Sequence, residues 1–264
     1  MSAGDIPVSS LLLLALLLLV PALISAIFRL HILKSLGISL MRMVLQLSLV
    51  GIFLEYIFEL NHPGVNLLWV MIMILTASLT VIRSSELRLR YLLGPVLASL
   101  GTTLVAVLLY FNLLVAGLAE LFSARYLIPI GGMLLGNSLR ANVVALNRFF
   151  HALDEQKDQF HWRLSLGAGR FEASLPFFRS SLKLALSPSV ATMATMGIVS
   201  LPGMMTGQIL GGSPPATAVK YQIAIMIAIF TVISVSVTAS ILLSQRLSFT
   251  RHGTLKPGIL NRSP

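Results

Sequence analysis

Glu55 is the one carboxylate of this chain that reaches toward hydrocarbon depth, in the apolar run "QLSLVGIFLEYIFEL". Ser48, Glu55 and Glu59 are spaced seven and four residues apart, which puts them on one helical face. An acid inside a membrane is a functional candidate, and oxygen ligands suit hard cations, so Glu55 is a candidate metal ligand. Its closeness to Asn61 fits a second reading, an interfacial glutamate just inside the outer headgroups. Gln46 lies deeper, where an amide can join helices or line a path.

A second polar constellation lies in "RYLIPIGGMLLGNSLRANVVALNRFF". Asn137, Arg140, Asn147 and His151 share one helical face. A polar stripe on a membrane helix faces protein or water rather than lipid. Arg140 either lines a cavity or snorkels to the inner headgroups, roughly 12 Å away along the helix. The third feature is "MGIVSLPGMMTGQILGGSPP". Met204 and Met205 are soft side chains that either bind metal or pack. Gly203, Gly207 and Gly211 form a small-residue row that lets another helix approach closely. Pro202 removes a backbone donor, so a bend is expected there, with Ser200 as a candidate cap.

The fourth feature is "RLSLGAGRFEASLPFF", a short amphipathic stretch interrupted by Gly167, Gly169 and Pro176. It is either a plain loop or a small helix on the membrane surface that docks into another protein. In the second reading Leu166, Phe171 and Leu175 are its apolar contacts, with Arg170 and Glu172 on the rim.

Known enzyme signatures are missing. The sequence has no GxxxxGK[ST], HExxH or GxSxG, so neither a P-loop nor these two hydrolytic centres is present. There are no cysteines, which excludes disulfides, zinc thiolates and iron–sulfur clusters. No two of the five histidines have the i,i+4 spacing of a helix-borne metal pair. No catalytic residue and no cofactor of the chain's own is expected.

The elements that must carry these residues follow from composition. Of 264 residues, 56% are hydrophobic and 11% charged, against about 25% charged in a soluble domain. Mean hydropathy is +0.90. The expected fold is all-α and polytopic, with seven membrane spans near 8–28, 37–58, 66–82, 94–117, 126–149, 187–210 and 217–244. The first is read as an uncleaved helix, since Asp5 is the only charge before it. With the N-terminus outside, all Lys and Arg except Arg125, Arg140 and Lys220 fall in inner segments. That bias predicts N-out, C-in, and explains the +10 net charge by topology rather than by nucleic-acid binding. A single membrane domain is expected over 1–246. Its inner segment spans about 150–186, and residues 247–264 form a disordered cytoplasmic tail.

Taken together, "RMVLQLSLVGIFLEYIF", "IPIGGMLLGN", "LSLGA" and "GIVSLPGMMTGQILGGSPPATAVKYQI" resemble the FetB (YbbM) family of ABC-transporter permeases, over roughly 38–230. The resemblance implies a bacterial inner-membrane permease that exports iron with a separate FetA-like ATPase, which holds ATP and Mg. Plant relatives are linked to aluminium tolerance and sugar-nucleotide transport. It also implies that Leu166, Gly167 and Ala168, followed by Glu172 and Ala173, belong to the cytoplasmic coupling segment, which carries a similar "LGA". ABC transporters need two membrane halves, so a second copy is expected. One position departs from the pattern: many members carry Lys three residues before the Gly of "GIVSLPG", where this chain has Ala194. Other readings are an independent cation channel or carrier using Glu55 and the Asn137–Arg140 stripe, and a scaffold or integral enzyme without transport.

Overall fold

The computed structural model describes residues 7–115, 117, 121–250, 255, 256 and 258–260. Asp5, Arg251, His252, Arg262 and part of the "LAELFSARY" connection lie outside them. The described residues form helices joined by short turns. These are α1 (Val8–Ala15), continued through one 3-10 turn into α2 (Leu19–Ile27), then α3 (Leu33–Leu60), α4 (Pro63–Ser84) and α5 (Leu89–Tyr110). A π-helical turn, Phe111–Val115, ends α5. There follow α6 (Ala124–Glu155), α7 (Lys157–Ser165), α8 (Arg170–Thr195), α9 (Gly203–Leu210) and α10 (Pro215–Ser248).

Five stretches are long and apolar enough to cross a bilayer: Ser9–Ile27, Leu33–Leu60, Pro63–Ser84, Leu89–Val115 and Pro215–Ser248. With its relatives' names, given below, this makes the chain a helical membrane protein. α6 and α8 have 32 and 26 residues and carry more polar side chains.

The sixth expected span is overturned. Residues 187–210 are not one helix bent at Pro202. α8 begins much earlier, at Arg170, and ends at Thr195. Gly197 then adopts φ 89°, and its N–H bonds Ser200 O across a tight turn. Pro202, lacking an N–H, stands before the first turn of α9. Ser200 caps nothing; Thr206 instead donates its N–H and hydroxyl to Pro202 O. Because α8 starts so early, Arg179 and Lys183 lie within it and not in an inner loop.

The core is formed by α4, α5, α6 and α10, with α8 packed on α6 and α10. α6 buries Leu134, Leu146, Phe149 and Phe150 along one side. Between lipid-embedded helices there is no hydrophobic drive, so close packing and hydrogen bonds must hold them. Both are visible along α10. Ser240 pairs with Ser99 of α5, and Ser236 with Ser138 of α6. Asn142 of α6 donates to Ser236 Oγ at 3.0 Å, and Gln245 donates to Ser174 of α8.

The α3–α4 hairpin is tied to α6 through asparagines. Asn61, left-handed at φ 35°, ends α3 and accepts from Ala124 N at 3.0 Å. Asn66 donates to Phe122 O at 2.8 Å. At the opposite end, Asn147 of α6 donates to Ser85 O, and His151 stands 3.6 Å from Glu86.

The described part of the tail packs on the bundle. Phe249 stacks on Phe160 of α7, Ile259 is buried, and Arg88 N donates to Ile259 O at 2.9 Å. Phe249 thus holds it to α7, and the backbone pairing of Ile259 holds it to the α4–α5 turn. By contrast, α1, α2 and α3 pack on little else apart from the end of α3 around Ile57, and most of their described apolar side chains stay exposed within one copy of the chain.

Candidate functional site

Two regions carry the residues singled out from the sequence. The first is a surface built by α7 and the start of α8. α7 ends at Ser165, and the chain reverses through Leu166–Gly169, with Gly167 at φ 88°. A residue with a Cβ is strained there, which accounts for the glycine of "LGA". Gly169 precedes α8, and its N–H donates to Glu172 Oε2 at 2.9 Å. That is half of a capping box, since glycine has no side chain to return the bond.

The expected separate surface helix is therefore corrected. Arg170, Phe171, Glu172 and Leu175 form the first turns of the long α8, and Pro176 does not interrupt it. The short helix of the region is α7. Trp162, Leu166 and Phe171 are 63%, 68% and 48% exposed, three apolar side chains bared on a polar segment. Leu175 is half-buried, and Ala168 packs against the core. Beside Phe171, a cleft of about 380 Å³ is walled by Arg170, Gln245, Arg246 and Phe249.

The second region is a hollow of about 200 Å³ between α6 and α8, reached also by Ile233 of α10. Asn137 and Arg140 line its α6 wall, and Pro188, Ser189 and Thr192 its α8 wall. The polar stripe of α6 is thus divided: Asn137 and Arg140 face the hollow, while Asn147 and His151 engage the Ser85–Glu86 turn.

The remaining candidates are not gathered there. Gln46 is exposed beside Arg42 on α3. Met204 packs against the core from α9, and Met205 is half-buried. Glu55 is exposed on α3, and no group of three His, Cys, Asp or Glu suited to a metal ion occurs among the described residues. The glycine row does not meet a helix within one chain. A Cβ at Gly203 or Gly207 would touch nothing within 4 Å, and one at Gly211 would meet only the carbonyls of its own helix.

The serine seam of α10 was not singled out from the sequence. Its signal is present: in "SVSVTASILLSQRLS", Ser236, Ser240, Ser244 and Ser248 recur every four residues, and all four are fully buried.

Comparison with known proteins supplies the family. The model of "Uncharacterised protein family (UPF0014)" matches residues 8–249. The chain is 32% identical to "Probable iron export permease protein FetB" of Escherichia coli K12, over 96% of each chain. It is 32% identical to the UPF0014 membrane protein YjkA of Bacillus subtilis, over 90% of this chain and 94% of that one. Identity is also 32% to "Protein ALUMINUM SENSITIVE 3" of Arabidopsis thaliana, over 84% of this chain and 80% of that one. No solved structure matches. The likeness to FetB seen in four sequence motifs extends over nearly the whole chain, which belongs to the UPF0014 family of membrane proteins.

Proposed function

We propose that the chain is the membrane half of an ATP-driven exporter, in the bacterial inner membrane, that moves iron outward with a separate ABC-type ATPase. The observation that carries this reading is the exposure of three apolar side chains, Trp162, Leu166 and Phe171, on an otherwise polar segment. Such a patch rimmed by polar residues marks a docking surface. It sits at the root of α8, which leads without interruption from that surface to the α6–α8 hollow. A push on α7 and α8 by a closing ATPase thus reaches the wall of the path. The sequence holds no P-loop, so ATP and its Mg belong to the partner.

A second copy completes the path in this reading. The bare sides of α1, α2 and α3 and the open row Gly203 and Gly207 are surfaces that such a copy and lipid would share. The chain crosses seven times, N-out and C-in, with α6 and α8 as the fifth and sixth crossings. Co-expression with a FetA-like ATPase is the direct test. The two are expected to copurify, and vesicles holding both to move iron only with ATP. Iron movement by the chain alone would replace this reading with an independent channel or carrier.

Topology has its own check, made clean by the lack of cysteine. A cysteine at Ile198, which is 92% exposed in the turn after α8, is expected to react with a membrane-impermeant maleimide in intact cells. A cysteine at Leu166 is expected to react only after the membrane is opened. The reverse pattern would invert the orientation.

A further inference from the structure

Arg140 stands near the middle of the 32-residue α6, a span of roughly 48 Å. No hydrogen bond or ion pair engages its side chain among the described residues. Its surroundings hold no acid. α10 has no Asp or Glu, α6 has none before Asp154, and α8 has only Glu172 in its first turn, where it accepts from Gly169. The hollow beside Arg140 adds neutral donors: the Ser189 hydroxyl and the second N–H of the Asn137 amide, whose first goes to Met133 O, while Thr192 gives its proton to Pro188 O. An uncompensated guanidinium offers a planar fork of donors. Two turns further along the same face of α6, Arg148 is a second exposed cation. Ser181, on the hollow's face of α8, has a buried hydroxyl without a partner.

A charged side chain at this depth faces a cavity or water rather than lipid. The chemistry of the wall then selects its ligand. A bare metal cation meets repulsion from Arg140 and no carboxylate to bind it. A phosphate or carboxylate finds a charge-assisted, bidentate donor with neutral donors around it. We propose that the α6–α8 hollow binds an oxyanion group, phosphate or carboxylate, of a soluble cargo, with Arg140 as its anchor. This rests on the exporter reading above and narrows it: a metal passing here travels inside an anionic complex. The hollow, at about 200 Å³, has room for one such group or a small polycarboxylate.

The test uses the full chain in nanodiscs of phosphatidylcholine, free of anionic lipid, with labelled citrate and labelled inorganic phosphate in equilibrium dialysis. At least one of the two is expected to bind saturably. Arg140→Gln should weaken it at least about tenfold, through loss of the charge-assisted bonds, while Arg140→Lys, which keeps the charge but not the fork, retains part of the affinity. Ser189→Trp, which fills the hollow from the α8 side, should abolish binding with little change in melting. Binding of neither anion, or equal binding to Arg140→Gln, overturns the proposal. So does saturable binding of hydrated Fe(II) that Ser189→Trp blocks. A parallel arm adds phosphatidylglycerol. If that lipid is retained through Arg140 and no soluble anion binds, the hollow is a headgroup site and the cargo assignment falls. Because the ATPase is not needed here, failure leaves the partner assignment intact. Equally, failed copurification with the ATPase leaves an observed anion site standing.

Discussion

Replacing Leu166 and Phe171 together with aspartate is expected to free a co-expressed ATPase from the chain while the helical bundle stays folded. Both side chains are largely exposed, so the substitutions remove little that the chain itself buries. Surface changes of this kind usually stay within about 0.5 kcal/mol of neutral stability. In a complex the same positions are desolvated. Truncating a buried interface anchor costs about 2 kcal/mol or more, and leaving a carboxylate unpaired there adds to it. Two such changes weaken association by roughly a thousandfold or more. Gly167→Ala acts differently, because no anchor is removed. It strains a backbone held at φ 88° by about 1 kcal/mol and turns Leu166 relative to Phe171. A partial loss is expected, with ATPase stimulation falling before copurification does. The checks are co-elution on size exclusion, ATPase rate with and without the chain, and helical melting. If the double aspartate variant copurifies and stimulates hydrolysis like the parent, this surface is not the docking site.

Much of that surface was legible in the sequence, and the reasons show where sequence reading stops. "LSLGAGRFEA" stood out because glycine, apolar and charged residues alternate at a point where hydropathy falls. The reading of its backbone failed in one respect. Arg179 and Lys183 suggest an inner loop, because charge in a hydropathy profile reads as water. They belong to α8 and lie on the side turned away from the hollow, where the helix is exposed. Starting α8 at Arg170 then moves the break. The apolar stretch 187–210 looked continuous, yet a positive-φ glycine at 197 and a proline at 202 bracket a turn between two helices.

The packing of the tail's described part was not legible for the opposite reason. Phe249, Leu255, Ile259 and Leu260 pack there on the bundle, scattered apolar residues that do not register against its prolines and glycines. The polar stripe of α6 was found, but its division between the hollow and the Ser85–Glu86 turn depends on which helices stand beside it. No periodicity contains that information. The serine seam was overlooked because serine is nearly neutral in hydropathy, and its meaning comes only from the hydroxyl it meets.

That seam supports the second large prediction: Ser240→Leu destabilises the bundle far more than Ser240→Ala. Ser240 and Ser99 are at most 1% exposed, and their hydroxyl oxygens are 2.5 Å apart across α10 and α5. Alanine removes one hydrogen bond, which between membrane helices averages about 0.6 kcal/mol. Leucine also forces two further heavy atoms between helices spaced for serine. Overpacking of that kind costs about 1 to 3 kcal/mol, while the Ser99 hydroxyl keeps its bond to Val96 O. The melting temperature of the purified chain in detergent should therefore drop several-fold further for leucine than for alanine. A compensating change separates volume from polarity. Ser99→Gly makes room for the larger side chain, so Ser99→Gly with Ser240→Leu should recover a large part of the loss. Two residues in direct contact are expected to couple in this way. If the double variant is merely the sum of the two single ones, the helices are not held at serine spacing, and the seam is not what sets the separation of α5 and α10.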